Sequence, residues 1–373
     1  MVGFGALNYE NEIFVAQVED LFKVGTDHAF RIFGEYRHNI YRGEFPLNPI
    51  GEGVKASFDS FAASAMWDWQ INDALNFVGT VRIDNVNFKR QGFTVPGVPI
   101  SNDDFDVSVT EYTYNAGLTY RLDDLTRLKF STARGAKLMS LIEFATVGAG
   151  PAPIPGFTFI LLGNPDLGAG IAESYNIGFS RDVPSLFSTF EADVFYTSLS
   201  KTPTVANVAP QFVAPPFVVG QPGDAGETEE FGIEVEITGE KDNLRWGANY
   251  AFLDVNDKFD LFAMGNSPLA VEFERSTPKH RFNINGGVTW GKLELDLYGQ
   301  YFSSTQRIIN TGPTGFALTP VNDVFTLSGR LAYQVTDYLE VSVSGVAFNK
   351  NNFQVSQSDP VERQIYGMAT FRW

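Results

Sequence analysis

Apolar and polar residues alternate along about fifteen segments of this chain, and no other feature limits its fold as strongly. In one of the clearest segments, Leu293, Leu295 and Leu297 alternate with Glu294 and Asp296. Successive side chains of a β-strand point to opposite faces, so a period of two predicts strands that are apolar on one face and polar on the other. We therefore expect an all-β protein.

The composition narrows the fold class further. The 373 residues contain no run of about 18 apolar residues, which argues against a helical membrane protein, and their mean hydropathy is -0.09. A transmembrane β-barrel is compatible with this low value because it exposes only every second side chain to lipid. The aromatic fraction of 14% fits the aromatic bands that border the lipid-facing surface of such barrels.

The connections between the segments alternate between short and long. Short turns are predicted near 25–27, 72–73, 123–124, 184–185, 241–243, 291 and 336–337, and long connections over about 43–56, 89–106, 136–170, 201–226, 257–276, 306–322 and 350–360. Short turns at one end and long loops at the other are typical of outer-membrane barrels, whose long loops are extracellular. The sequence therefore predicts a transmembrane antiparallel β-barrel of outer-membrane type with about 15–16 strands.

The last segment, V-E-R-Q-I-Y-G-M-A-T-F-R-W over 361–373, resembles the C-terminal strand of bacterial outer-membrane barrels, which ends on an aromatic residue. It follows a long loop and should therefore end in the periplasm. If about fifteen strands are counted back from it, the first strand runs in the same direction as the last, and two such strands cannot pair antiparallel. We expect either a short sixteenth strand over Val2 to Tyr9 or further strands upstream in a longer parent protein.

Several segments resemble the barrel of TonB-dependent outer-membrane receptors. Residues 163–180, G-N-P-D-L-G-A-G-I-A-E-S-Y-N-I-G-F-S, resemble that family's long loop and following strand, and F-E-A-D-V-F-Y-T-S-L over 190–199 resembles its return strand. Further segments fit in the same order, namely E-E-F-G-I-E-V-E over 229–236, S-T-P-K-H-R-F-N over 276–283 and V-S-G-V-A-F-N-K-N-N-F over 343–353. The chain departs from the family at 133–137, where A-R-G-A-K lacks the usual Arg-Ala-Pro, and at 347–350, where the family more often has Asn-Leu-Phe-Asp.

The resemblance implies a barrel of about 22 strands around a plug domain that the TonB complex contacts. Residues 1–373 would then be one transmembrane β-barrel domain, the C-terminal portion, with the plug outside this chain. It also implies an outer-membrane receptor for a scarce solute such as a siderophore, cobalamin or a glycan. Its surroundings would be outer-membrane lipid, lipopolysaccharide and other outer-membrane proteins. Two alternatives remain open: a plugless porin of about 16 strands for passive diffusion, and a barrel that anchors a larger outer-membrane assembly.

Other functions are disfavoured. The net charge of -17 opposes nucleic-acid binding, and the absence of cysteine excludes disulfides, thiolate metal sites and cysteine nucleophiles. No secretory signal is recognisable, so we expect a mature chain or a fragment.

His28, His38 and His280 are interpreted as structural, and neither an enzyme nor a cofactor is expected. A histidine bonded to a carboxylate at the outer rim would instead favour an enzyme. The acidic runs 254–260 and 103–106 lack the spacing of a calcium-binding loop and are interpreted as solvated.

Candidate solute contacts lie in one loop and on the polar face. The connection over 136–170 is unusually apolar, and its Phe144, Phe157 and Phe159 are expected to cover the mouth or to contact solute or protein. On the polar face we select the arginines Arg82, Arg121, Arg245 and Arg330 as solute contacts. The charged side chains of this face are expected to form ion pairs or to line a path for a charged solute; they are Glu35, Arg37, Arg82, Asp84, Arg121, Glu191, Asp193, Glu234, Glu236, Arg245, Arg281, Glu294, Asp296, Arg330, Glu340 and Arg372.

Overall fold

One antiparallel sheet dominates the computed structural model, which describes residues 8–44, 53–94, 98–151, 156–201, 203–204, 211–213, 217–224, 226–259, 273–310, 316–356 and 358–372. Its fifteen strands, each paired with the next, are β1 (Asn8–Val24), β2 (His28–Glu44), β3 (Val54–Asn72), β4 (Leu75–Gly92), β5 (Val107–Arg121), β6 (Thr126–Lys137), β9 (Gly170–Val183), β10 (Ser188–Ser200), β15 (Gly226–Lys241), β16 (Leu244–Phe259), β17 (His280–Trp290), β18 (Leu293–Phe302), β21 (Val324–Thr336), β22 (Leu339–Val346) and β25 (Gln364–Phe371). The predicted all-β antiparallel fold and its strand number are confirmed.

Shorter elements occupy the long connections. They are the strands β7 (Val147–Pro151), β8 (Thr158–Leu162), β11 (Pro203–Thr204), β12 (Gln211–Val213), β13 (Phe217–Gly220), β14 (Gly223–Asp224), β19 (Thr305–Asn310), β20 (Phe316–Val321), β23 (Asn352–Phe353) and β24 (Val361–Glu362), and the helices α1 (Leu141–Ala145) and α2 (Phe273–Ser276). Single 3-10 turns cover Asp103–Phe105 and Pro184–Leu186. Within the described ranges, no helix has the length and apolar character needed to cross a membrane.

Every predicted short turn joins two neighbouring strands of the large sheet, and every predicted long connection starts and finishes at strand ends on the opposite side of the sheet. Local chemistry explains the turns: at Asp123, for example, the backbone N–H of Leu125 donates to the side chain, which lowers the pKa of that carboxyl and closes the β5–β6 turn. We call the two ends of the sheet the short-turn end and the long-loop end.

The two faces of the sheet differ as the alternation predicts. One face, the apolar face, carries exposed Val18, Ile32, Val81, Ile177 and Ile365. Aromatic rings on this face cluster near the short-turn end, with Phe22, Phe30, Trp67, Trp69 and Phe77 in mutual contact, and again nearer the long-loop end, with Phe14, Tyr36 and Phe61. Two aromatic bands around an apolar belt are the signature of a barrel wall that faces lipid. The opposite face, the polar face, carries the charged residues selected above.

The outermost strands of the sheet are left with one open edge each. Among the described residues β1 pairs only with β2, and β25 pairs only with β22. With fifteen alternating strands, β1 and β25 run in the same direction, so they cannot close the sheet by pairing antiparallel with each other. The hypothetical sixteenth strand over Val2 to Tyr9 lies mostly outside the described residues, and its last two residues belong to β1.

The predicted terminal strand is shorter than the alternation suggests. Val361 belongs to β24, which pairs with β23, and a break at Arg363 separates it from β25. Ile365, Gly367, Ala369 and Phe371 share one face of β25 as predicted, and Trp373 lies outside the described residues. The backbone N–H of Arg363 donates instead to the carbonyl of Asn351, which fixes the break.

Candidate functional site

Long connections from three places in the chain fold together over the polar face at the long-loop end. We call the described residues 98–106, 138–151, 156–169 and 217–224 the cap. Within the cap β7, β8 and β13 belong to one small sheet, in which β8 and β13 run parallel. The helix α1 begins with a capping box in which the side chains of Ser140 and Glu143 each bond the other's backbone N–H. The apolar 136–170 connection is therefore folded and not simply solvated.

The cap shares a hydrophobic core with the wall. Phe144 and Phe105 are fully buried, with ring centroids 5.2 Å apart, and Phe144 packs 4.9 Å from the ring of Phe88 on β4. Val54 and Ala56 of β3 complete the wall side of this core. Burial of several large apolar side chains, each contributing about 1.5–3 kcal/mol, holds the cap against the β2–β4 part of the polar face.

Arg90, near the end of β4, is the central polar residue of the cap core. It is 4% exposed, and its guanidinium donates to the carbonyl of Ala145 (3.1 Å), to Asn102 and to the carbonyl of Phe93 (2.6 Å). It also lies 4.8 Å over the ring of Phe105. Polar Asn85, Asn87 and Lys89 on the opposite face mark this level as beyond the lipid-facing belt. Burial lowers the pKa of Arg90 to about 10, so the group remains charged at neutral pH.

A second group of polar contacts joins the cap's segments. The amide N–H of Gly163 donates to the carbonyl of Thr146 (2.6 Å), and the Asn164 side chain donates to the carbonyl of Pro222 (2.8 Å). A Cβ at Gly163 would overlap the carbonyl oxygen of Phe144 and lie 2.6 Å from the nitrogen of Ala145. The G-N-P-D segment selected for its family resemblance therefore links α1 to the chain around Pro222, and only glycine fits at its first position.

The three aromatic residues predicted to contact solute have different environments. Phe144 is fully buried in the cap core, while Phe157 and Phe159 are half-buried. The ring of Phe159 lies over Gly220, where a Cβ would meet it at 2.6 Å. Phe144 thus supports the cap from within, and the half-buried pair lies closer to its surface. A role of any of them in solute binding stays a prediction.

The four selected arginines all lie on the polar face, but they are not brought together. Arg82 pairs with Asp84 (2.7 Å) and Glu35 (3.4 Å) at mid-height of β4. Arg121 donates to the carbonyl of Asp73 (2.8 Å) at the short-turn end. Their distribution along the wall argues for local structural contacts, and their role in solute binding stays a prediction.

Arg245 and Arg330 belong to one network at the short-turn end. Arg245 reaches across β17 to Glu294 and Asp296 (2.8 Å each), and it can do so because Gly287 has no side chain in its path. Arg330 bridges Glu294 (3.4 Å) and Glu340, and Arg372 contacts Glu340 at 3.6 Å. This chain of ion pairs connects β16, β18, β21, β22 and the residue that follows β25, in agreement with the ion-paired wall expected from the sequence.

Four carboxylates of the polar face have no such partner. The register places Glu191 directly opposite Glu236, and Asp193 directly opposite Glu234, on the neighbouring strands β10 and β15. None of the four forms an ion pair within the part of the chain that the structure describes. Like charges directly opposite each other destabilise a strand pair by about 0.2–1 kcal/mol. We call these four residues the acidic stripe.

The histidines make contacts on or beside the apolar face. The indole N–H of Trp67 donates to His28 (3.1 Å), and His280 lies 2.8 Å from the hydroxyl of Tyr250. His38 lies 2.9 Å from Asp59, the type of contact that was expected to favour an enzyme. The Tyr36 hydroxyl also donates to Asp59 (2.7 Å), and no serine bonds to this group among the described residues. Asp59 thus links Tyr36 and His38 of the neighbouring strand β2.

The two acidic runs are engaged in local structure. Asp257 accepts from the backbone N–H groups of Phe273 and Glu274 at the start of α2, and Asp254 pairs with Lys279 (2.7 Å). Asp260 lies outside the described residues. Asp104 accepts from the backbone N–H of Ser101, which lowers the pKa of the Asp104 carboxyl. The described residues contain no group of three acidic or histidine side chains arranged for a metal ion.

Sequence reasoning missed Arg90. It treated 89–106 as a connection, whereas β4 continues to Gly92. The alternation could have identified it. If the period of two is extended through Lys89 and Arg90, Lys89 falls on the apolar face and Arg90 falls beside Phe88 on the polar face. An arginine among aromatic and aliphatic neighbours on that face is a candidate for a buried cation.

Comparison with known proteins gives one family and one fold. The sequence matches the family model described as TonB dependent receptor-like, beta-barrel over residues 3–349. No curated protein matches the sequence. Among solved structures, the siderophore receptor PirA from Acinetobacter baumannii has a TM-score of 0.73 at 13% identity, over 98% of this chain and 55% of that one.

Two further structures show the same fold. The copper transporter OprC has a TM-score of 0.70 at 12% identity, over 98% of this chain and 57% of that one. The ferric-catecholate import receptor Fiu from E. coli K12 has a TM-score of 0.66 at 15% identity, over 97% of this chain and 55% of that one. The chain therefore spans about half the length of the structures that it resembles.

Proposed function

Because this chain belongs to the family of TonB-dependent receptor-like β-barrels, whose members are outer-membrane receptors and transporters, we propose that it forms the C-terminal part of a gated receptor for a scarce solute. Relatives described as siderophore receptors and as a copper transporter support uptake of a nutrient that is too dilute for passive diffusion. A siderophore, cobalamin or a glycan remains the proposed solute class. Residues 1–373 are proposed to be a single barrel domain.

The acidic stripe is the observation that favours a plugged barrel over an open pore. Glu191, Asp193, Glu234 and Glu236 face the interior without a basic partner in the described part of the chain. A plug domain with basic side chains on its surface would neutralise them, and the repulsion within the stripe would become attraction.

The open edges of the sheet support further strands in the full-length protein. A partner for β1 and a partner for β25 are both needed to close the wall, and an odd number of additional strands restores the even total of bacterial barrels. A self-contained porin of about 16 strands has no support among the described residues, because no pairing there closes the sheet.

We propose the orientation from the asymmetry of the connections. The cap and the other long connections would face the cell exterior, and the short turns and the end of β25 would face the periplasm. The TonB complex would act from the periplasmic side through the plug, and lipopolysaccharide would surround the long-loop end.

Uptake by cells that express the full-length protein tests this function. Cells with and without TonB are supplied with labelled ferric siderophores, cobalamin or oligosaccharides, and accumulation of each is measured against cells that lack the protein. We expect one class to accumulate only when both the protein and TonB are present. Accumulation that persists without TonB, or no accumulation of any class, contradicts the proposal.

A further inference from the structure

Arg90 is a buried cation whose bonds within the described residues are all to neutral groups. Its hydrogen-bond acceptors are two backbone carbonyls and an amide oxygen, all neutral, and no carboxylate forms an ion pair with it within the described residues. Its three acceptors lie in three different segments: Phe93 follows β4, Asn102 lies beside the 3-10 turn, and Ala145 ends α1. One planar guanidinium group therefore bonds at once to the end of a wall strand and to two of the long connections.

The charge of Arg90 and the geometry of its hydrogen bonds have different consequences for the cap. Transfer of a charged group from water into an apolar core is unfavourable, and an apolar side chain of similar volume often stabilises a fold as well or better. Hydrogen bonds from a fixed planar fork are instead strongly directional, so they favour one arrangement of the bonded segments over others. Arg90 is thus suited to selecting one position of the cap.

We propose that Arg90 is the positioning residue of the mouth, which holds the cap closed in one arrangement over the β2–β4 wall. The cap is then a preassembled half of the mouth, and not a set of loops that close separately around a solute. The described residues of the connections over 303–323 and 347–363 make no bond to Arg90, so they lie outside the group of segments that it positions. This inference does not depend on which solute is taken up.

Cysteine labelling of the full-length protein tests the proposal directly. This chain contains no cysteine of its own, and the full-length protein without an introduced cysteine gives the background labelling. Ala56→Cys places a thiol in the core under the cap, where the native side chain has no exposure, and Ile142→Cys places one on the exposed side of α1. A water-soluble maleimide measures the labelling rate of each. We expect Ala56→Cys to react at least about 100-fold more slowly than Ile142→Cys, since it reacts only when the cap opens.

Arg90→Met in the Ala56→Cys background should raise the labelling rate by at least about tenfold, while the apparent size of the unheated barrel on a gel stays unchanged. Lys89→Met, which removes the neighbouring cation from the opposite face, serves as the matched control and should leave the rate unchanged. If Ala56→Cys is labelled as fast as Ile142→Cys while Arg90 is still present, the cap is not closed and the proposal is overturned. An unchanged rate in Arg90→Met, or equal acceleration by Lys89→Met, overturns the assignment to Arg90. None of these outcomes bears on TonB-dependent uptake, so failure here is distinguishable from failure of the proposed function.

Discussion

Replacement of Gly163 by alanine is expected to open the cap while the large sheet stays intact. The new Cβ would overlap the carbonyl oxygen of Phe144 and lie 2.6 Å from the nitrogen of Ala145. Backbone atoms cannot move aside as a flexible side chain can, so the segment must separate from α1 and lose the bond from Gly163 to Thr146. We expect the cap to be destabilised by about 3 kcal/mol, the upper part of the range for overpacking.

Hydrogen exchange of the full-length protein measures this effect. The amides of Gly163 and Asn164, which bond to Thr146 and Glu143, should exchange roughly 100-fold faster in the variant. Gly135→Ala in β6 is the matched control, because a Cβ there meets nothing within 4 Å, and its exchange pattern should remain that of the native protein. Unchanged protection of 163–164 in Gly163→Ala would show that the cap is not packed as described.

Replacement of Arg330 by methionine is expected to weaken the wall and leave solute selectivity unchanged. Arg330 neutralises both Glu294 and Glu340, and the Glu340 side chain is only 12% exposed. Its loss leaves Glu340 with a single, longer contact to Arg372 at 3.6 Å. Since the network is partly hydrated, we expect a loss of about 1–2 kcal/mol of unfolding free energy rather than the larger loss seen for a fully buried pair.

Urea unfolding of the full-length protein in detergent gives the comparison. Arg330→Met combined with Glu340→Gln should recover part of the loss, because the double variant no longer carries the under-paired carboxylate. Arg121→Met, which removes only a bond to the Asp73 carbonyl on the same face, should change the free energy by less than about 0.5 kcal/mol. If Arg330→Met alters which solute is taken up without loss of stability, the residue contacts solute and the interpretation as an ion-paired wall is wrong.

The strands and turns of this protein are predictable because their signals are local. The alternation of Leu293 to Leu297 sets the faces of β18 without reference to any distant residue. Turn residues such as Asp123 bond within their own turn, so their position is readable from a few neighbouring residues. The family resemblance rested on the same local segments, and the match over residues 3–349 confirms it.

The cap was not predictable because its contacts join residues that are far apart in the chain. Arg90 bonds Ala145 across 55 positions, and Asn164 bonds Pro222 across 58. The apolar character of 136–170 indicated that the segment is covered, but it did not indicate what covers it. That information resides in the register of β2–β4, which places Ala56 and Phe88 where Phe144 can reach them.

The ion pairs of the polar face could not be predicted from the sequence either. The sequence assigned sixteen charged residues to this face but not their partners, because partners depend on strand register. Arg245 reaches Asp296 only because Gly287 lies between them, whereas Glu191 and Glu236 are brought face to face with no cation between. The charges of Arg245 and Asp296 neutralise each other within the wall, whereas the charges of Glu191 and Glu236 are available to pair with another part of the protein.

Conductance of the full-length protein in planar lipid bilayers tests the central claim, a plugged and gated barrel, most directly. We expect no steady conductance from the native protein. Glu191→Gln combined with Glu236→Gln should produce intermittent openings because the basic side chains of the plug lose their anionic partners on the wall, whereas Glu227→Gln, on the opposite face of β15 from Glu236, should stay closed. Steady conductance of the native protein, unaffected by these substitutions, would contradict the claim and indicate an open porin.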